Sequence, residues 1–152
     1  DIGKTFASSI EEKIAEFPEW EKEICMYWER WEDMIGGAVE GMLDWICELK
    51  KVGYKVYGLS NWSAETFPLV KDKFPVFKMM DGIVISGEEL IAKPDHRIYQ
   101  ILLNRYNLQA NECVFVDDRQ GNIDAAKELG IHGITFINCE QAKNAFYHII
   151  KN

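Results

Sequence analysis

Asp117 and Asp118 stand side by side at the end of an apolar, β-prone run, residues 113–116, and a loop with Gly121 follows. Two adjacent carboxylates repel, and holding them partly buried is costly unless a cation compensates. A hard divalent ion does so: Mg²⁺ takes one or two carboxylates and fills its other positions with water and phosphate oxygens. Two more apolar runs end in residues suited to the same chemistry. Residues 54–59 lead into Ser60 and Asn61, a hydroxyl and an amide. The segment after residues 82–86 leads to Lys93, an ammonium, followed by Pro94. If the runs are parallel strands, all three deposits meet at one sheet edge, the carboxyl end where such sheets bind ligands. Ser60, Asn61 and Lys93 would then take phosphate oxygens. Each signal alone is weak, because an aspartate pair is more often a turn or a helix cap. The three at successive strand ends carry the reading.

The elements that must position these groups follow from periodicity. Strands are predicted over 54–60, 82–86, 113–117 and 133–137. A helix over 39–52 points Met42, Leu43, Ile46 and Leu49 inward and stops at Gly53. Pro94 suits a first helical position, and a helix runs from it to Tyr106 with Ile98, Ile101, Leu102 and Tyr106 inward. Further helices are expected over 122–129, stopped by Gly130, and over 139–150. Short apolar strands alternating with helices predict an α/β fold, a Rossmann-like parallel sheet with helices on both faces.

The first third has a different rhythm. Phe6, Ile10, Ile14 and Phe17 recur at helical spacing, and Pro18 breaks the run. Residues 19–35 place Trp20, Ile24, Tyr27, Trp28, Trp31 and Ile35 on one stripe, ended by Gly36 and Gly37. The plain reading is core packing against the neighbouring helix; the sharper one gives part of the stripe to a substrate pocket.

Bulk properties exclude several classes. The chain has 152 residues, 47% hydrophobic and 28% charged, enough for one domain with a real core. Lys and Arg total 17 against 25 Asp and Glu, a net charge of −8. That balance argues against nucleic acid and against an anionic membrane surface as partners. No apolar run approaches a membrane span, and no signal peptide is visible. Cys25, Cys47, Cys113 and Cys139 form no CxxC pair, so zinc is not expected. They are read as reduced core residues of a cytoplasmic protein.

Three stretches then carry a family resemblance: GLSN at 58–61, AKPDHRIY at 92–99 and VFVDDRQGNIDAAKELGI at 114–131. In order and spacing they resemble the second, third and fourth motifs of the haloacid dehalogenase superfamily, over about residues 39–137. The similarity is strongest to small-capped phosphatases acting on sugar phosphates and similar metabolites. It implies a partial helical cap over 1–37 and a Rossmann-like core over 38–152. It implies Mg²⁺ as cofactor and a small phosphorylated metabolite as substrate. Ser60 would bind the transferring phosphoryl group, Asn61 would assist through its backbone, and Lys93 would neutralise nucleophile and phosphate. Asp118 would ligate the metal directly, Asp117 directly or through water, and Asn122 would orient that shell. Trp28, Trp31 and Trp62 are candidates for substrate selection, although core packing is the commoner role. The reaction implied is attack by an aspartate on phosphorus and hydrolysis of the aspartyl-phosphate, with a second aspartate as general acid and base.

The family's first motif, DxDxT at the end of an apolar strand, is not found in this sequence. DIGKT at 1–5 has Gly3 in place of the second aspartate and no strand before it, and it reads as a cap loop or helix start. Gly3, Lys4 and Thr5 lack the upstream glycine and strand of a P-loop. Asp81 precedes its strand instead of ending it. The resemblance would place the missing strand centrally, between 54–60 and 113–117, leaving two edges unpaired. The expectation is that an N-terminal segment supplied elsewhere completes the sheet and that this chain alone is inactive. Two alternatives stand beside the phosphatase. One is a 2-haloacid dehalogenase-type hydrolase, which the acidic pair disfavours; the other is a phosphatase-like module that binds without turnover.

Overall fold

The computed structural model describes residues 3–151. It opens with two helices, α1 (Phe6–Glu16) and α2 (Glu21–Glu29). The Thr5 hydroxyl caps α1 by accepting from the Ser8 backbone N–H at 3.1 Å. Thr5 is therefore a helix start, and Asp1 and Ile2 of the DIGKT stretch lie outside the described residues. The stripe expected over 19–35 is not one helix. A 3₁₀ turn at Pro18–Trp20 leads into α2, and a second at Trp31–Met34 follows the break at Arg30. The stripe is also poorly buried. Trp20 and Tyr27 are more than half exposed, while Ile24, Trp28, Trp31 and Ile35 are half-buried. Trp28 packs on Phe6 with ring centroids 4.5 Å apart, and that contact is what joins α2 to α1 there.

The chain then turns to strand and helix. α3 (Met42–Lys51) enters through Gly41 and leaves through Gly53, with φ of 78° and 96°; only glycine adopts such values freely. Trp45 and Ile46 are its buried residues, and the neighbouring Cys47 is exposed. The expectation of four core cysteines fails there, because Cys47 faces away from the side that carries Trp45. Cys25, Cys113 and Cys139 are half-buried, and all four are free thiols.

β1 (Tyr57–Ser60) pairs in parallel with β2 (Gly82–Ile85), Leu59 opposite Val84. β1 starts later than the apolar run suggests because Asp81 takes over at Val56. The Asp81 carboxylate accepts from the Val56 N–H at 2.9 Å, and the Asp81 N–H donates to the Val56 carbonyl at 2.7 Å. Three short helices that periodicity did not announce follow the strands: α4 (Phe67–Val70), α5 (Pro75–Met79) and α6 (Ser86–Glu89). α7 (His96–Arg105) begins after Pro94, not at it. Asp95 is its N-cap, accepting from the Arg97 N–H at 2.9 Å, so the proline lies just outside.

β3 (Val114–Asp117) pairs in parallel with β4 (His132–Thr135), Val116 opposite Ile134. α8 (Gln120–Glu128) lies between them in the chain and starts two residues before the predicted boundary. α9 (Cys139–Ile149) closes the fold, capped by Asn138 accepting from the Gln141 N–H. One core cluster joins Val84 of β2 to Ile98 and Tyr99 of α7 and Ala126 of α8. The other joins Trp45 of α3 to Ile134 of β4 and Ala142 and Phe146 of α9. The α/β architecture with parallel strands is as the sequence predicts. β1 and β3 do not pair with each other; they stand in separate two-stranded sheets flanking a cleft of about 590 Å³. Among the described residues no helix is long and apolar enough to cross a membrane.

Candidate active site

Lys93 joins the two sheets. It follows β2 and α6 in the chain, and its side chain, only 10% exposed, reaches the ends of both β1 and β3. Its ammonium donates to the Leu59 carbonyl at 2.6 Å and to Asp117 Oδ2 at 2.7 Å. The Phe115 ring lies under the same ammonium, 5.4 Å from its centroid. Strand ends that are far apart in sequence therefore meet at one point, as parallel strands require. The backbone of Lys93 is held just as firmly. Its N–H donates to Asn61 Oδ1 at 2.8 Å, and its carbonyl accepts from Asn61 Nδ2 at 2.9 Å.

Asp117 is fully engaged. Oδ2 takes Lys93, while Oδ1 accepts from the Arg119 N–H at 2.9 Å and from Asn122 Nδ2 at 2.8 Å. The first of these Oδ1 contacts turns the chain out of β3 and into α8, which brings buried Asn122 back onto the carboxylate. Asn122 is fixed in turn, because its carbonyl accepts from the Tyr99 hydroxyl at 2.8 Å. Burial alone would raise the Asp117 carboxyl. The bonds from Lys93, Arg119 and Asn122 outweigh it and hold the group below its ordinary range. Burial, with the Asp117 charge nearby, pushes the Tyr99 hydroxyl well above its usual value. Tyr99 therefore stays a neutral donor.

Asp118 is exposed next to this network and enters no ion pair among the described residues. Ser60 ends β1 on the wall of the cleft, half-buried. Five of the predicted residues, Ser60, Asn61, Lys93, Asp117 and Asn122, thus gather at one edge, with Asp118 beside them. Among the described residues the tryptophans make no hydrogen bond to them. Trp62 turns into an aromatic cluster with Phe67 and Phe77, its indole donating to Thr66 Oγ1 at 3.0 Å. Trp28 and Trp31 remain in the helical first section.

Sequence reasoning missed three parts of this site. The Asn61 side chain is a clamp on the Lys93 backbone, whereas the residue type alone suggests a phosphate donor. The Leu59 carbonyl is a backbone atom and carries no residue-type signal. Tyr99 read as a helix residue, and only its hydrogen bond to Asn122 reveals its role.

The donor set can be tested against a metal. Among the described residues no three His, Cys, Asp or Glu side chains cluster as a metal cage would. Two adjacent carboxylates with one already committed still fit Mg²⁺, which keeps several waters and needs only one or two protein carboxylates.

The model of the haloacid dehalogenase-like hydrolases matches residues 4–130. The chain belongs to that family. The sesquiterpene phosphatase astK of Aspergillus oryzae is 34% identical over 87 residues, 57% of this chain and 44% of the phosphatase. The (S)-2-haloacid dehalogenase 4A of Burkholderia cepacia is 29% identical over 87 residues, 57% of this chain and 38% of the dehalogenase. The chain thus spans less than half the length of either relative. Among solved structures, the magnesium complex of a haloacid dehalogenase family enzyme from Bacteroides thetaiotaomicron superposes with a TM-score of 0.70 at 25% identity. The match covers 87% of this chain and 73% of that one. These dehalogenase-like relatives give the Lys93–Asp117 edge its context: both phosphatases and dehalogenases stand among them.

Proposed function

We propose that the protein is a Mg²⁺-dependent phosphomonoester hydrolase acting on a small phosphorylated metabolite. The observation that carries this reading is the shielded Lys93 ammonium, held between the end of β1 and Asp117 with Ser60 and Asp118 at the same edge. A phosphate dianion beside Ser60 meets a cation in a partly desolvated setting, where its attraction exceeds that in water. The Ser60 hydroxyl and the Asn61 backbone N–H supply neutral donors. The Asn61 side chain is spent on Lys93 and serves by fixing the cation.

Asp118 would hold Mg²⁺ directly. Asp117 would act through water, because its oxygens already accept three hydrogen bonds, and Asn122 would keep it in place. The ion would supply charge neutralisation at the phosphoryl oxygens. In the reaction we assign, a carboxylate attacks phosphorus, the alcohol leaves, and water hydrolyses the aspartyl-phosphate. We assign the nucleophile to a segment outside these 152 residues, so this chain by itself would be inactive. Residues 1–37 would form part of a cap and 38–152 the core. Trp28 and Trp31, with Trp62 at the loop after β1, would shape the leaving-group pocket. Four free thiols fit a reducing compartment such as the cytoplasm.

The test is phosphate release from p-nitrophenyl phosphate by the natural full-length protein, with Mg²⁺ and with EDTA. The expected result is Mg²⁺-dependent release that Asp118→Ala abolishes. Release undiminished in EDTA overturns the metal assignment. Halide release from 2-chloropropionate without phosphate release favours the dehalogenase instead.

A further inference from the structure

The turn from β3 into α8 carries a cation that the proposed reaction does not use. Arg119 is the N-cap of α8, and its backbone N–H is held by Asp117 Oδ1 at 2.9 Å, so the residue is fixed beside Asp118. Its carbonyl accepts from the N–H groups of Asn122 and Ile123. Its side chain makes no capping bond, and the residue is exposed. Arginine is a poor choice there. An N-cap favours short side chains that accept a hydrogen bond, and a cation meets the positive end of the helix dipole. Local structure therefore gains nothing from a guanidinium at 119.

The guanidinium is also without an anion. The chain has four arginines. Arg30 pairs with Asp33, Arg97 with Asp95 and Arg105 with Glu89. Arg119 enters no ion pair among the described residues. The carboxylates of its own segment are committed elsewhere. Asp117 accepts from Lys93, Asn122 and the Arg119 backbone. Asp124 accepts from Gln120 Nε2 at 2.7 Å, and Gln120 Oε1 accepts in turn from Thr135 Oγ1 at 2.6 Å. Asp118 is the carboxylate assigned to Mg²⁺. A guanidinium among committed carboxylates is free to take an anion from outside.

The charges of the site indicate which anion. Lys93 and a divalent ion offset Asp117, Asp118 and only part of a phosphate dianion. A second anionic group on the substrate then needs a further cation, and Arg119 offers one at the same edge. Its planar fork matches a carboxylate or a phosphate with two parallel hydrogen bonds.

We propose that Arg119 determines specificity by binding a second anionic group, a carboxylate or a second phosphate, on the leaving side of the phosphomonoester. The substrate class is then phosphorylated acids and bisphosphates, and phosphates of neutral alcohols are the poorer substrates. This assignment deepens the phosphohydrolase reading and rests on it for the position of the transferring phosphate.

The experiment assays phosphate release by the natural full-length protein with Mg²⁺ on two pairs of substrates. One is 3-phosphoglycerate against glycerol 3-phosphate; the other is fructose 1,6-bisphosphate against fructose 6-phosphate. A higher kcat/KM is expected for the anionic member of at least one pair, and the pair that shows it tells carboxylate from phosphate. Arg119→Ala keeps the backbone bond to Asp117 and changes an exposed residue, so it should fold. It should cut the preference roughly tenfold, through KM and not kcat. Arg119→Lys keeps the charge without the fork and should restore part of the preference. Equal kcat/KM within both pairs overturns the proposal, as does a preference that Arg119→Ala leaves intact. A loss shared equally by all four substrates puts Arg119 on the transferring phosphate and overturns it too. Calorimetry without turnover separates this assignment from the phosphohydrolase reading. 3-Phosphonopropionate or 1,3-propanediphosphonate should bind more tightly than propylphosphonate, and Arg119→Ala should remove the difference. If the difference holds while no substrate is hydrolysed, the phosphohydrolase reading falls and the Arg119 site stands. If all three phosphonates bind alike, the Arg119 site falls whatever the turnover.

Discussion

The β3 edge and the α1–α2 pair hold their polar and apolar groups in opposite ways. At the β3 edge a carboxylate and an ammonium, 7% and 10% exposed, are matched donor to acceptor through Leu59, Asn61, Arg119 and Asn122. In the α1–α2 pair the aromatic residues are abundant, yet Trp20, Tyr27, Met26 and Phe17 are substantially exposed. Polar ties to the rest of the molecule are solvent-facing: the Phe6 N–H donates to Glu65, and just beyond α2 Lys73 pairs with Glu32. Burying charge is tolerable only when every partner is present, which makes the first region intolerant of change. Exposed rings lose little when they are altered, which makes the second region permissive.

Lys93→Ala should show the largest effect. It leaves the buried Asp117 carboxylate without its cation, a loss of about 3–5 kcal/mol. Lys73→Ala breaks an ion pair whose side chains are 54% and 44% exposed and should cost no more than about 1 kcal/mol. Urea unfolding at neutral pH compares the two. If Lys93→Ala prevents folding outright, Lys93→Met combined with Asp117→Asn should recover it, since removing both charges removes the orphan. Equal costs for the two lysine variants would erase the contrast between the regions.

A middle-sized effect is expected at Asp81, where side chain and backbone join α3 to the start of β1. Hydrogen bonds from Lys50 and Val56 lower its carboxyl from 3.8 to about 2. Because the folded-state value is depressed, the unfolded chain takes up the proton first as pH falls. The stabilisation is complete above pH 3.8 and is lost by about pH 2. Asp81→Asn should therefore flatten the acid limb of the stability curve while lowering stability at neutral pH. Asp117 is depressed as well, so the limb should shrink without disappearing. An unchanged slope between these two pH values contradicts the assignment.

The site was more legible in the sequence than the scaffold around it. Ser60 and Asp117 end β1 and β3, and Lys93 lies in the loop after β2 and α6; strand ends can be found from apolar runs, so the convergence of the three follows once the strands are taken as parallel. Hydrogen bonds to backbone atoms were not legible, because Leu59 offers only its carbonyl and no residue type predicts that. The Asn61 clamp was invisible for a related reason: an asparagine after a serine looks like a phosphate donor, and only the position of Lys93 shows where its amide points. Element boundaries shifted wherever a side chain replaced a ladder bond or a cap, as Asp81 does for β1 and Asp95 does for α7. The aromatic stripe failed for the simplest reason. Helical spacing shows that residues share a face, and it does not show that another element covers the face.

That failure supplies the smallest expected effect. Trp20 is 55% exposed, so Trp20→Ser removes a ring that contributes little burial and should move stability by no more than about 0.5 kcal/mol. Trp28→Ala also removes the stacking on Phe6, and should cost about 0.5–1.5 kcal/mol beyond the area it exposes. Urea midpoints for the two variants should rank Trp28 above Trp20. If Trp20→Ser costs as much as a buried tryptophan, about 3–5 kcal/mol, the face it belongs to is covered in solution. The permissive half of the comparison would then be an interface, with its own partner to identify.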